Sequence, residues 1–389
     1  MSAARKTIRF GIIGLGLMGR EFASAAARWC HLLDLDFIPR ITAICDTNPA
    51  LFDWFERNDI GTGLMTSDYH DLLSSADVDA IYCAVPHNLH QQMYIDIINA
   101  GKHLLGEKPF GIDRAANTAI LAAIAAHPDL CVACSSEFPF FPGAQRVIQA
   151  IRDQRFGRIV EVQAGLLHSS DLDPMKKINW KRMVALNGEY GCMGDLGLHP
   201  LHIPLRAGWT PKQVYASLNK IVTQRYNGAG ELVPCETWDN ATLVCEVEQD
   251  GSAFPMTIQT YRIAPGETNT WYLRITGTSY SIEYSTKYPR TLRWMPYESG
   301  AEQTWQVLDL GYTSAYPTIT GGIFEFGFTD SILQMWAAFC DQVINGRDGM
   351  RQPFYCATPD ETAVHHRILT AALASHREKR AITLDETSL

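Results

Sequence analysis

One acid and two histidines fall within eight positions of MGDLGLHPLHIP, residues 193–204: Asp195, His199 and His202. Side chains three and four positions apart share one face of a helix, so the three can act together if this stretch is helical. Three uses fit. Two histidines one turn apart are half of a zinc site, but zinc needs a third and usually a fourth ligand, and no second such set stands at helix spacing. A helix cap with a core histidine needs nothing further. An acid beside an imidazole can also hold and move a proton, because imidazole titrates near neutrality. Gly191, Gly194 and Gly197 break the chain around Asp195, which suits a helix beginning there.

A second candidate is Lys108, in LLGEKPFG (104–111). It follows an apolar strand run, and ligands of open α/β sheets gather at the C-terminal edge of the strands. A lysine partly withdrawn from water there has a lowered pKa and can donate to a reacting hydroxyl or take its proton. An ordinary surface lysine has the same spacing.

The third candidate is a turn. FGIIGLGLMGREF carries Gly14, Gly16 and Gly19 as GxGxxG, directly after an apolar strand and at the start of a helical pattern. In that context Gly14 permits the tight turn, Gly16 lets backbone approach a pyrophosphate, and Gly19 lets helix and strand pack closely. The helix N-terminus then attracts the phosphates, with Leu17 and Met18 in the same contact. ITAICDTNP ends the next strand on Asp46, 27 positions after Gly19, and the preceding DLDFIP absorbs the excess over the usual spacing of about 20. A carboxylate there accepts the ribose 2'-hydroxyl and repels a 2'-phosphate. No arginine stands beside it, so the expected cofactor is NAD rather than NADP. Asp46 also suits an N-cap ahead of Asn48-Pro49.

The elements that must position these groups are legible in outline. Strand and helix patterns alternate up to about residue 137, which implies βαβ units and an open parallel sheet. From 212 to 308 short alternating runs such as WDNATLVCEVEQ predict a mostly antiparallel sheet. The expected fold is α/β. A dinucleotide-binding domain spans 1–137, and a second, α+β domain with a large open sheet spans 138–357. A C-terminal helix and tail, 358–389, return to the first domain. Cys131 and Cys134 have redox spacing, but on a strand they face opposite ways and read as core residues.

A net charge of -9 gives no footprint for nucleic acid or an anionic membrane. No run of about 18 apolar residues occurs, so no membrane span is expected. The polar lead MSAARK runs straight into a strand, without the apolar segment of a secretory leader. Ten scattered cysteines suit a reducing compartment, and the expected location is cytoplasmic.

Together the strand–GxGxxG start, AVPHNLH (84–90), GEKPFG (106–111) and GDLGLHPLH (194–202) resemble the Gfo/Idh/MocA family over nearly the whole chain. This is the group of glucose–fructose oxidoreductase and inositol dehydrogenase. The resemblance implies an N-terminal Rossmann domain and a C-terminal domain whose sheet joins copies into a homodimer or homotetramer. It implies that Lys108, Asp195 and His199 carry the chemistry and touch substrate. The loop with Pro86, His87, Asn88 and His90, together with Glu107 and Lys108, would face the cofactor. A substrate-facing loop matches DLDPMKKINWKRMVALNGEYG (171–191), with Trp180, Lys181, Arg182 and Glu189 as candidates, and His168 closes VQAGLLH nearby. The basic run Lys176, Lys177, Lys181 and Arg182 either greets an anionic sugar or lies on a solvated face.

The implied reaction is hydride transfer between a secondary hydroxyl of a sugar, glycoside or cyclitol and NAD. Lys108 would bond the reacting oxygen, His199 would handle its proton and Asp195 would orient them. No metal is expected, and His202 becomes structural. One alternative is a redox-neutral enzyme that oxidises transiently to cleave a glycosidic bond. Another is a cofactor-binding regulatory protein without catalysis.

Overall fold

The computed structural model describes residues 5–61 and 63–385; the start of the polar lead and the last four residues of the expected tail lie outside them. By its internal contacts the chain forms two units. The first holds 1–111, 115–140 and 312–359, and the second holds 112–114, 141–311 and 360–389.

The first unit is built on six parallel strands: β1 (Lys6–Ile13), β2 (Phe37–Cys45), β3 (Leu64–Thr66), β4 (Ala80–Cys83), β5 (His103–Gly106) and β6 (Val132–Cys134). Their order is β3-β2-β1-β4-β5-β6. The apolar end of β1, FGII, is buried throughout, as a strand covered on both faces must be. Strand order reverses at β1, which lies between β2 and β4, so the C-terminal ends of β1 and β4 border the crevice where such sheets bind ligands. Cys131 stands just before β6 and Cys134 ends it, and burial raises both thiols.

The second unit carries β7 (Ile159–His168), β8 (Pro211–Asn219), the ribbon β9 (Gln224–Tyr226) and β10 (Leu232–Pro234), then β11 (Asn240–Gln249), β12 (Ser252–Tyr261), β13 (Asn269–Gly277), β14 (Tyr280–Ser285), β15 (Thr291–Pro296), β16 (Gln306–Asp309) and β17 (Ile382–Thr383). Nine of these form one sheet in the order β16-β15-β14-β13-β7-β12-β11-β8-β17. Every neighbouring pair is antiparallel except β7 with β12. Along β11, Leu243, Cys245 and Val247 are buried while Val244, Glu246 and Glu248 are exposed. One face is therefore core and the other open. The helix Leu198–Arg206 packs on the core face, against β7, β12 and β13.

The two C-terminal helices exchange the places expected for them. The helix Phe328–Asn345 joins the first unit, and Pro359–Glu378 stays with the second. The reason is aromatic packing. Trp336 meets Phe22 at 3.9 Å, Phe10 at 5.1 Å and Trp29 at 5.8 Å between ring centroids. Arg28 pairs with Asp330 at the start of the same helix. The last helix instead bonds the second unit through Arg206–Glu361 and through Ser375, which accepts from the backbone N–H of Ala216 at 2.9 Å.

Candidate active site

In the first unit, the turn after β1 is held at both ends. Gly14 N–H donates to the carbonyl of Cys45 at 2.9 Å, and Asp46 Oδ2 accepts from Leu15 N–H at 2.8 Å. Gly14 has φ +93°, and a Cβ there would stand 2.4 Å from the Ala84 carbonyl oxygen. A Cβ on Gly19 would stand 2.1 Å from the Gly14 carbonyl oxygen, so strand and helix close only on glycine. Gly16 differs: a Cβ there would meet nothing within 4 Å. The constraint at Gly16 is not set by this chain's own packing. That open space suits a pyrophosphate. The helix Leu17–Ala27 starts at Gly16 without a side-chain cap, leaving its first N–H groups to a ligand, with Leu17 exposed beside them. These residues fit NAD. Asp46 has a further use that spacing did not disclose: Oδ1 accepts from Asn48 N–H at 2.8 Å, so the carboxylate braces the turn it serves.

Past β4, Pro86 is half-buried and Asn88 exposed, whereas His87 and His90 are buried. His90 has no exposure, stacks on Tyr94, and bridges the carbonyl of Val85 (3.1 Å) and the N–H of Gly111 (3.4 Å). It ties two loops together with both ring nitrogens, an internal role where a cofactor contact was expected. Past β5, Lys108 is half-buried. Glu107, expected to face the cofactor, is buried and accepts from the Tyr82 hydroxyl at 2.7 Å, so its carboxylate braces the strand ends. Sequence reasoning missed Glu137. Burial first, and then the charge of Glu107, push its carboxyl up to about 7, with Lys108 opposing. Nothing in SSEFPFF signals this, because the partners arrive from another strand end.

In the second unit, helix begins three residues before Asp195, at Cys192, and continues through Gly197 into Leu198–Arg206. Asp195 and His199 are 2% and 4% exposed. The carbonyl of His199 accepts from Trp271 Nε1 at 2.9 Å, fixing this turn to the sheet. Asp195 receives two cations. Lys181 Nζ lies 3.1 and 3.0 Å from its two oxygens, and Arg262 lies 3.1 Å from Oδ2. Arg262 is 67 positions away in sequence, and no motif marks it. His202 is fully buried and meets Arg206 at 3.1 Å; burial pushes its imidazole down to about 3. Among the described residues no group of three or more His, Cys, Asp or Glu could hold a metal ion.

The loop candidates divide. Trp180, Lys181 and His168 are partly exposed. Arg182, expected to face the substrate, has no exposure and pairs with Asp239 and, at 2.9 Å, with Asp171, so its side chain holds the loop. Glu189 is exposed and paired with Arg377. The basic run divides as well: Lys177 is exposed, whereas Lys176 and Lys181, partly exposed, pair with the buried Asp171 at 2.7 Å and with buried Asp195.

Comparison with known proteins supplies the family. A model described as "Oxidoreductase family, NAD-binding Rossmann fold" matches residues 8–135, and one described as "GFO/IDH/MocA C-terminal domain" matches residues 144–283. Levoglucosan dehydrogenase of Pseudarthrobacter phenanthrenivorans is 25% identical over 195 residues, 50% of this chain and 49% of that protein. A glycosyl hydrolase family 109 protein of a Shewanella species is 32% identical over 113 residues, 27% of this chain and 23% of that protein. The chain thus spans about half, or less, of the length of the curated relatives it matches. A structure of levoglucosan dehydrogenase in complex with NADH superposes with a TM-score of 0.85 at 19% identity, covering 97% of this chain and 99% of that one, which establishes likeness of fold. The dinucleotide turn lies inside the first matched segment and the Asp195 turn inside the second, and the chain belongs to the GFO/IDH/MocA family of NAD-binding oxidoreductases.

Proposed function

We propose that this protein oxidises a secondary hydroxyl of a sugar, glycoside or cyclitol, or reduces the corresponding ketone, with NAD as the hydride partner. The observation that carries the reading is the buried turn around Asp195 and His199, in a chain that also holds the dinucleotide turn. When bound, NAD accepts or returns the hydride. Lys108 donates a hydrogen bond to the reacting oxygen. His199 takes or returns its proton, and Asp195 keeps the neighbouring charges in place. The roles of these three follow the family resemblance, and the ion pairs of Asp195 support the last. The open sheet face, with Tyr215 and Val244 each nearly half exposed, supports pairing of copies into a homodimer or homotetramer. Ten free cysteines support a cytoplasmic location.

The test is a screen for NADH formation over polyols, aldoses, glycosides and sugar acids with purified protein. Reduction with at least one class is expected. The match to a glycosyl hydrolase family 109 protein favours a second reading, in which a glycosidic bond is cleaved with no net redox change.

A further inference from the structure

The loop that leads to the Asp195 turn is tied down by three buried arginines of the second unit, each in its own way. Arg225 donates to the carbonyls of Asp171, Asp173 and Lys176 at 2.6, 2.7 and 2.8 Å. Arg182 pairs with Asp171 at 2.9 Å and with Asp239. Arg262 bridges the loop and the site. Its Nη1 donates to the carbonyl of Lys181 at 3.0 Å, and its Nη2 donates to Asp195 Oδ2 at 3.1 Å.

Arg262 is well placed to hold both. It follows β12 directly, its N–H donates to the Asp239 carbonyl at 2.9 Å, and its side chain is 2% exposed. Lys181 completes a circuit, because its Nζ lies 3.0 Å from the same Asp195 Oδ2. The contacts run from Arg262 through Asp195 to the Lys181 ammonium, along that side chain to its backbone, and back through the carbonyl to Arg262. A planar guanidinium keeps its donors at a fixed separation, so the circuit sets where the Lys181 backbone stands relative to Asp195. A lysine at 262 would offer one nitrogen on a flexible stem, enough for the charge of Asp195 but not for both acceptors at that spacing. Thr237 Oγ1 also donates to the Lys181 carbonyl, at 2.8 Å, so both lone pairs of that oxygen are engaged. Trp180 and Lys181 are partly exposed where the backbone is fixed in this way.

We propose that Arg262 is a positioning residue for substrate: by holding the Lys181 carbonyl and Asp195 at once, it fixes the loop of Trp180 and Lys181 against the Asp195 turn, so that this wall of the site is assembled before a sugar binds. This rests on the sugar-oxidoreductase reading and adds to it. A loop already in place costs nothing to order at binding, so losing the tether raises KM more than it lowers kcat.

The test is fluorine NMR of the NADH-loaded full chain with fluorotryptophan at its nine tryptophans, the Trp180 line being assigned with Trp180→Phe. Arg262→Lys should move or split the Trp180 line and leave the lines of Trp29, Trp54 and Trp336, all in the first unit, where they are. Thr237→Val removes the other side-chain donor on the same carbonyl and leaves Asp195 its cations. It should move the Trp180 line too, and it carries the test if Arg262→Lys fails to fold. With each sugar or polyol that reduces NAD, Arg262→Lys should raise KM about tenfold or more and keep kcat within about threefold, since a cation remains beside Asp195. A Trp180 line unmoved in Arg262→Lys, or in Thr237→Val where the first variant does not fold, would overturn the proposal. So would movement of the first-unit lines along with it, or a fall in kcat at unchanged KM. If no compound reduces NAD, the sugar-oxidoreductase reading fails and the fluorine lines decide this inference alone.

Discussion

Asp46 and Asp195 are both carboxylates at sites of expected chemistry, and they are held in opposite ways. Asp46 is half-exposed and held by two backbone N–H groups, from Leu15 and Asn48, close by along β1 and β2. Asp195 is buried and held by two cationic side chains, Lys181 and Arg262. Backbone donors come with the strand–turn–helix and cost no extra charge. Side-chain cations must be delivered by other segments and leave a buried charge whenever one partner is lost. The first arrangement is a binding device that tolerates its ligand's absence. The second is part of the folded core as well as of the proposed chemistry.

The difference can be broken by mutation. Lys108→Ala, in the unit that carries the dinucleotide turn, should reduce kcat by about 10²–10⁴-fold and leave the affinity for NADH, read by fluorescence titration, within a few-fold. Turnover like that of the parent would remove Lys108 from the mechanism. Asp195→Ala should reduce activity and also destabilise the fold by about 3–5 kcal/mol in urea unfolding, because Arg262 then lies buried without its partner. A loss below about 1 kcal/mol would mean that the cations there are better solvated than their burial indicates. Asp46→Ala should do the reverse, weakening NAD binding by about tenfold to a hundredfold and narrowing the preference over NADP, with little change in the urea midpoint.

The smallest effect concerns pH. His202 stays neutral in the fold down to about pH 3, whereas in the unfolded chain it takes a proton near 6.5. Below that value the unfolded state binds the extra proton, so the stability tied to neutral His202 is complete above about 6.5 and is lost as pH falls toward 3. By pH 5 the loss should be about 2 kcal/mol, and His202→Gln should flatten that part of the curve. Equal slopes in parent and variant would show that His202 does not titrate on unfolding.

The same contrast explains what could be read from the sequence. GxGxxG, the strand before it and Asp46 lie within one βαβ unit, where spacing determines geometry, and their positions were legible. The parallel and antiparallel sheets followed from strand patterns that report which faces are covered. The C-terminal helices were misplaced because an apolar stripe such as Ile332, Met335, Trp336 and Phe339 says that a partner exists, not which one; the aromatic cluster of Phe10, Phe22 and Trp29 decides it. Lys181 and Arg182 are neighbours of like charge, and one turn of chain sends the first to Asp195 and the second into the core. No pattern distinguishes them. His90 and Glu107 sit in the loops expected to face the cofactor, and their side chains turn inward to bond Val85, Gly111 and Tyr82.

The deciding measurement is stoichiometric. With each compound of the screen, whether or not it reduces NAD, NADH formed and compound consumed are counted in the same sample. One NADH per substrate is the expected result for a hydride-transfer enzyme that uses Lys108, Asp195 and His199. Product accumulating with no NADH would contradict it and assign the same residues to a redox-neutral cleavage.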